Sequence, residues 1–348
     1  MSTVDVSPDP AEVPPSRGAG TGWAWYVGKR LFAGVGVLWA AFTVSFIVLY
    51  LLPSDPIQIM LSGSGTEFVG ADDAKVAEVR AEYGLDRSAP AQYLAALGGA
   101  LTLDFGRSIQ RGMPVTELLG DALGQTLLLG GLALTLALVI GFAVAVTATL
   151  APWRPLRQAV LGLPALSVSI PTFWSGLLIT QVFAFGLQWV NVFDTSSFAT
   201  LLLPATTLAI PVSAFIAQIL AKSLATTMRE PYVEVVRSRG VSEARVVVGS
   251  ALRNASLPLL TMLGMIVGNI IAGSVVVETV FSRMGIGRIT FEAVKAQDIP
   301  VVMGVVMIAA TAFVLINLLV DIVYPLLDPR VDVGIRRRSA AITGEGIG

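Results

Sequence analysis

Six stretches of this chain run for about twenty residues or more with almost no charge: 31–52, 125–150, 159–187, 201–220, 257–280 and 301–327. Each is long enough to cross a hydrocarbon core of about 30 Å as a helix. A spanning β-barrel would show alternating segments of about ten residues instead. The expected fold class is therefore an all-α polytopic membrane protein with six transmembrane helices. The charged fraction agrees, at 14% against the roughly 25% usual in soluble domains. Cys and His are both absent. That removes disulfides, thiol chemistry, and the commonest general base and metal ligand.

Residues 1–28 are rich in Pro, Gly, Ser and Ala and read as a disordered tail. The apolar run that follows Lys29 and Arg30 is too long for a signal-peptide core. The first span, 29–52 with its basic flank, stops at Pro53, Asp55 and Pro56. A polar loop over 53–121 follows, with ten acidic residues against five basic ones and expected helices over 72–83 and 89–101. The remaining spans make a core over 122–331, and 332–348 is a tail. Pro164 and Pro171 interrupt the third span, and Pro204 and Pro211 the fourth. Each is either a gating hinge or a fixed kink. With the N-terminus inside, 15 Lys and Arg lie on inner segments and 8 on outer ones. The positive-inside rule favours that orientation. Both termini and the region 222–256 then face the cytoplasm, and the 53–121 loop faces outward.

Between the fourth and fifth spans lies the most polar long stretch of the second half. Six Lys and Arg fall from Lys222 to Arg253. A helix over 222–239 bends or restarts at Pro231. Arg237 and Arg239 suit its last turn, and Gly240 its left-handed C′ position. Ser242 is placed as the N-cap of a second helix over 243–253, which includes Arg245. Pro258 opens the next span. This helix–glycine–helix element either docks into a groove of a soluble partner or lies on anionic lipid.

The same stretch resembles the coupling loop of ATP-binding-cassette (ABC) importer permeases: Glu234, Val235, Val236, three residues, Gly240, then Leu257 and Pro258 after a long spacing. The two valines stand where the motif has alanines. The long spacing and its ending "ALRNASLP" resemble the dipeptide/oligopeptide/nickel permease family. So do "LLPSDP", "EYGLDRSAPAQYLAAL", "DFGRSIQRGMPVTELL", "SIPTFWSGLLI", "VVETVFSRMGIGRITFEAVKAQDIPVVMGVV" and "NLLVDIVYPLLDPRV". The long loop after the first span resembles that of the first of the family's two permease subunits. The resemblance implies a type I importer permease fold in a bacterial inner membrane. It implies a second homologous permease, two cytoplasmic ATPases that bind ATP and Mg, and an extracytoplasmic substrate-binding protein. No cofactor is expected in this chain itself, and no nucleic-acid partner. Glu234, Val235, Val236, Gly240, Ser242, Arg245, Arg253, Asn254 and Pro258 would then meet the ATPases. Peptides are the implied cargo; nickel chelates, glutathione and opines travel by relatives.

"LSGSG" at 61–65 resembles an ATPase signature, but it lies in the outer loop, and no GxxxxGK[ST] occurs anywhere. Gly264 and Gly268 form a GxxxG suited to close helix packing. Gln181, Gln218, Asn269, Asn317 and Asp321 are among the few polar residues within spans, and such groups face bundle interiors. Gln181 and Asn269 are candidates to line a pathway, and Asp321 for a structural pair. The outer loop serves either as a landing surface for the binding protein or as a cap over the outer gate. A secondary transporter would need a central carboxylate or ion cage, which this pattern lacks. An intramembrane enzyme would need a nucleophile motif, and neither GxSxG nor HExxH occurs.

Overall fold

The computed structural model describes residues 19–50, 57, 73–191 and 198–327. The tail 332–348, the "LSGSG" stretch and the side chain of Asp321 lie outside the described parts. The helices, in chain order, are α1 (Ala19–Tyr50), α2 (Asp73–Glu82), α3 (Ala89–Leu101), α4 (Val115–Leu150), α5 (Arg154–Ser169) and α6 (Thr172–Ile179). A π-helical stretch, Thr180–Gly186, extends α6. After it come α7 (Phe198–Thr227), α8 (Pro231–Ser238), α9 (Glu243–Arg245), a π turn (Val246–Ala251) and α10 (Leu252–Ala255). The chain continues through α11 (Leu257–Thr261), α12 (Leu263–Val280), α13 (Ile286–Ala296) and α14 (Ile299–Leu327). Five of these helices are long and apolar enough to cross a membrane, or six when the bent α5–α6 pair is counted as one broken span. The protein is an all-α polytopic membrane protein.

The central packing is α4 against α7 and α12. Leu129, Ala133 and Ala137 of α4 face Ala205, Leu208, Ala209, Val212 and Ile216 of α7, with Ile266 and Ile270 of α12 closing the cluster. Small residues at four-residue spacing on α4 let the backbones approach. A Cβ on Gly141 would stand 2.6 Å from Ile216 Cγ2 and 3.0 Å from the Ser213 carbonyl oxygen. Between membrane helices, where no hydrophobic force acts, such close packing is a main source of association. Gly264 likewise seats Asn317 of α14, whose amide nitrogen donates to the Phe313 carbonyl at 2.7 Å.

Several boundaries differ from the sequence expectations. Residues 19–28, expected as irregular tail, are helical. No proline intervenes between Pro15 and Pro53, and extending an existing helix costs far less than starting one. α4 begins about ten residues before the apolar run, so it projects beyond the hydrocarbon. The third apolar stretch is not one rod, because it bends by 104° between α5 and α6. The break falls at Pro171, where Ile170 is extended (φ −94°, ψ 125°), as a residue before proline prefers. Pro204 and Pro211, in contrast, sit inside the continuous α7. The fifth span starts at Leu263, after a break at Met262. The amphipathic α13 was not expected at all.

Candidate functional site

The region 222–258 folds into a knob at one end of the bundle. Glu230 is extended, and Pro231 supplies the fixed φ of a first helical position. α8 runs to Ser238, and Gly240 takes φ +76°. That left-handed conformation is open to glycine without a Cβ penalty. Ser242 is extended (φ −63°, ψ 147°) and its carbonyl accepts from the Val246 N–H at 3.0 Å. Its backbone is that of an N-cap, but its hydroxyl makes no capping bond. The second helical run then continues through the π turn to Ala255.

The knob has two faces. Val247, Ala251 and Ala255 are buried against Leu220 and Leu224 of α7 and Ala145 of α4. Val233 and Val246 are buried as well. The other face points away from the bundle. It carries Glu234, Arg239, Gly240, Ser242, Arg245, Arg253, Asn254 and Pro258, all exposed. Val235 and Val248 are each 54% exposed among these polar groups, and Val236 is half-buried. Two ties fix the turn. The Arg237 guanidinium donates to both Glu243 carboxylate oxygens, at 2.8 and 3.1 Å. Asn254 Nδ2 donates to Tyr232 Oη at 3.0 Å. The planar fork of Arg237 orients as well as attracts. The candidate positions thus gather on one braced, exposed surface.

The proposed pathway residues are not gathered in this way. Gln181 lies on the π-helical stretch and Asn269 on α12, both exposed.

The opposite end holds a polar network that the sequence reading did not anticipate. Glu278, 1% exposed, accepts from Thr126 Oγ1 at 2.8 Å and from the Arg288 N–H at 3.1 Å. Thr126 Oγ1 in turn accepts from the Ile286 N–H at 2.7 Å. The carboxylate therefore sits at the N-terminus of α13, where free N–H groups and the helix dipole favour an anion. Gly285 makes room, since a Cβ there would stand 2.4 Å from the carboxylate. Asp298, 2% exposed, accepts from the Ile109 and Gln110 N–H groups at 3.1 Å each and from the Ser108 hydroxyl. Glu292 joins Arg288 of α13 at 2.8 Å to Arg111 of the loop at 2.6 Å. Burial alone would raise the Glu292 carboxyl, but the two arginines outweigh it and hold the group below its usual range. Charged residues next to an apolar run were the available signal, but Thr126, Ile109 and Arg111, which complete the network, lie 150 or more residues away along the chain.

Helices that span a membrane around an Ala- and Gly-lined core, with a braced helix–glycine–helix knob between the fourth and fifth crossings, define a transporter permease subunit. The chain belongs to the binding-protein-dependent transport system inner membrane component family, whose match covers residues 137–333. A putative peptide permease protein of Brucella suis biovar 1 is 34% identical over 319 residues, 88% of this chain and 99% of the relative. A probable peptide ABC transporter permease protein of Sinorhizobium fredii is 33% identical, over 88% of this chain and 98% of its own. The glutathione transport system permease protein of Salmonella paratyphi A is 33% identical over the same shares. The protein is an ABC importer permease, working with a substrate-binding protein and ATPase subunits.

Proposed function

We propose that this subunit forms half of a translocation pathway for short peptides, and that the knob over 222–258 docks on the ATPases. The other half is a second, homologous permease, and two cytoplasmic ATPases bind ATP and Mg. The peptide reading follows the names of the relatives; glutathione, a tripeptide, falls in the same class. The docking assignment is supported by the two-faced build of the knob. One face is packed onto α4 and α7, and the other presents Val235 and Val248 within a polar rim. Apolar anchors inside a polar rim are what a partner groove recognises. In this reading the knob and both termini lie in the cytoplasm. The end carrying α2, α3 and α13 meets the binding protein. ATP closes the partner ATPases, the docked knobs move with them, and the crossings alternate their access.

The chain has no cysteine, so Val235→Cys and Val248→Cys each introduce a single thiol. Expressed with its partners and treated with a short bifunctional maleimide, each variant is expected to cross-link to an ATPase subunit. Cross-linking to the extracytoplasmic binding protein, or labelling by a membrane-impermeant reagent from outside, would refute the assignment.

A further inference from the structure

Where the long loop meets α1 and α14, the structure holds a cavity of about 470 Å³. That lies within the 300–1,000 Å³ range of small-molecule sites. Its apolar lining comes from Phe42, Phe46, Phe105 and Met303. Its walls are fixed by tight backbone contacts. The Asp104 N–H donates to the Gly99 carbonyl at 2.8 Å, and a Cβ on Gly99 would stand 2.3 Å from the Asp104 carbonyl oxygen. Asp298 pins the adjoining segment through Ile109 and Gln110. The cavity is therefore built on a braced framework.

Charge of both signs lines it. Arg107 is already engaged, its Nε donating to the Gly112 carbonyl at 3.0 Å, and Asp104 accepts from the Gly106 N–H. Glu82 and Arg87 are not. Among the described residues neither side chain makes a hydrogen bond or ion pair, although both line this one cavity. They flank the turn at Gly84, and Arg87 Nε lies back over it, 3.7 Å from where a Gly84 Cβ would be. Tyr83 stands between them in sequence and also lines the cavity. Burial, and then the Glu82 carboxylate, push its phenol above the usual value, so it stays a hydroxyl donor at neutral pH. An unpaired cation and an unpaired anion above an aromatic floor match a ligand that carries both charges at its ends and an apolar group between.

We propose that this cavity binds a short peptide-like zwitterion, its carboxylate on Arg87, its ammonium on Glu82 and its side chain on Phe42, Phe46 and Phe105. It would hold substrate at the loop end, beside the pathway rather than within it. The choice of a peptide as ligand rests on the peptide reading above; the cavity's charge arrangement does not.

The test uses the full import complex in lipid nanodiscs without the binding protein, and equilibrium dialysis of labelled alanyl-phenylalanine. Saturable binding is expected. Arg87→Gln should weaken it about tenfold, the scale of one charge-assisted hydrogen bond, yet should leave binding of the C-terminal amide of the same peptide unchanged. Glu82→Gln should do the same for the free peptide and spare its N-acetyl form. Ala95→Trp, from an exposed lining position, should abolish binding by filling the space. These three substitutions are at exposed side chains, so folding is preserved. Binding that is equal in all three variants overturns the proposal. A complex that imports the dipeptide with its binding protein but shows no saturable binding here overturns the cavity and leaves the import reading standing. A complex that binds here but imports no peptide does the reverse.

Discussion

Gly240 offers the sharpest test of the knob. It sits at φ +76° with nothing within 4 Å of the position a Cβ would take. A side chain there meets no wall of its own protein. The cost of substitution is the left-handed backbone alone, about 1–2 kcal/mol for an ordinary residue. Against a folding stability of about 5–15 kcal/mol, that leaves the subunit folded and inserted. Asn tolerates the left-handed region better than Ala or Val, so a series separates two causes. If only the turn's shape matters, Gly240→Asn should behave almost like the parent, and Gly240→Ala should lose part of its function. If docking also needs the empty space above the turn, Gly240→Asn, Gly240→Asp and Gly240→Val should all lose ATPase association, by tenfold or more. The open surroundings and the exposed rim favour the second outcome. The assay is co-purification of the ATPases with a tagged permease, alongside peptide-stimulated ATPase activity in liposomes. Undiminished association of Gly240→Val, which fits neither the left-handed backbone nor the empty space, would refute the docking assignment.

Three other perturbations probe the opposite end. Glu278→Ala leaves the Thr126 hydroxyl and the Arg288 N–H without their acceptor. At about 1–3 kcal/mol for each stranded group, it should lower the thermal midpoint in detergent, and Thr126→Val should not add its full effect on top. Asp298→Asn keeps the shape but gives one of three donor sites an N–H₂ instead of an oxygen. It should speed limited proteolysis between 102 and 114 without changing the thermal midpoint of the core by more than a few degrees. The Glu292 carboxyl is held below its usual value by Arg288 and Arg111. It therefore stabilises the loop above the ordinary carboxyl pKa, and that contribution fades as pH falls through the lower, folded value. Amide protection factors at 108–113, corrected for the intrinsic pH dependence of exchange, should fall on acidification in the parent, while Glu292→Gln should show low protection at both neutral and low pH.

The crossings were legible because length and lack of charge act locally: about twenty apolar residues suffice, whatever they pack against. The left-handed turn at Gly240 was legible for the same reason, since backbone sterics at one residue decide it. Helix ends were less so. α4 runs past its apolar run because Val115, Leu118, Leu119 and Ala122 pack on Ile286, Ile289 and Ala293 of α13 and on Val301 of α14, contacts that no local pattern announces. The break at Pro171 and the continuity of α7 through Pro204 and Pro211 show that identical residues act differently under different packing. Ser242 has the backbone of a cap without its hydrogen bond. Glu278 and Asp298 were hidden for a further reason. A buried carboxylate is explained only by its donors, and those lie on helices and a loop brought together by the fold.

These pieces also make a mechanical link between the two ends. α4 is a single helix of 36 residues, about 54 Å at 1.5 Å per residue. Near its C-terminus, Ala145 touches the knob's buried face. Near its N-terminus, Thr126 holds Glu278 and, through it, the start of α13. Along its middle, Ala133, Ala137 and Gly141 lie too close to α7 to slide without climbing over Ile216. A shift imposed at the knob therefore reaches α13 as a rigid tilt of the α4–α7 pair, because a close-packed interface has discrete seats, not a continuum of positions. Gly141→Val tests this directly. The added carbons meet Ile216 and the Ser213 carbonyl oxygen at under about 3 Å, and prying the pair apart costs about 1–3 kcal/mol. The knob itself is untouched, so ATPase association should survive while peptide-stimulated hydrolysis and import fall together. Import at the parental rate in a folded Gly141→Val subunit would mean that the two ends communicate by another route.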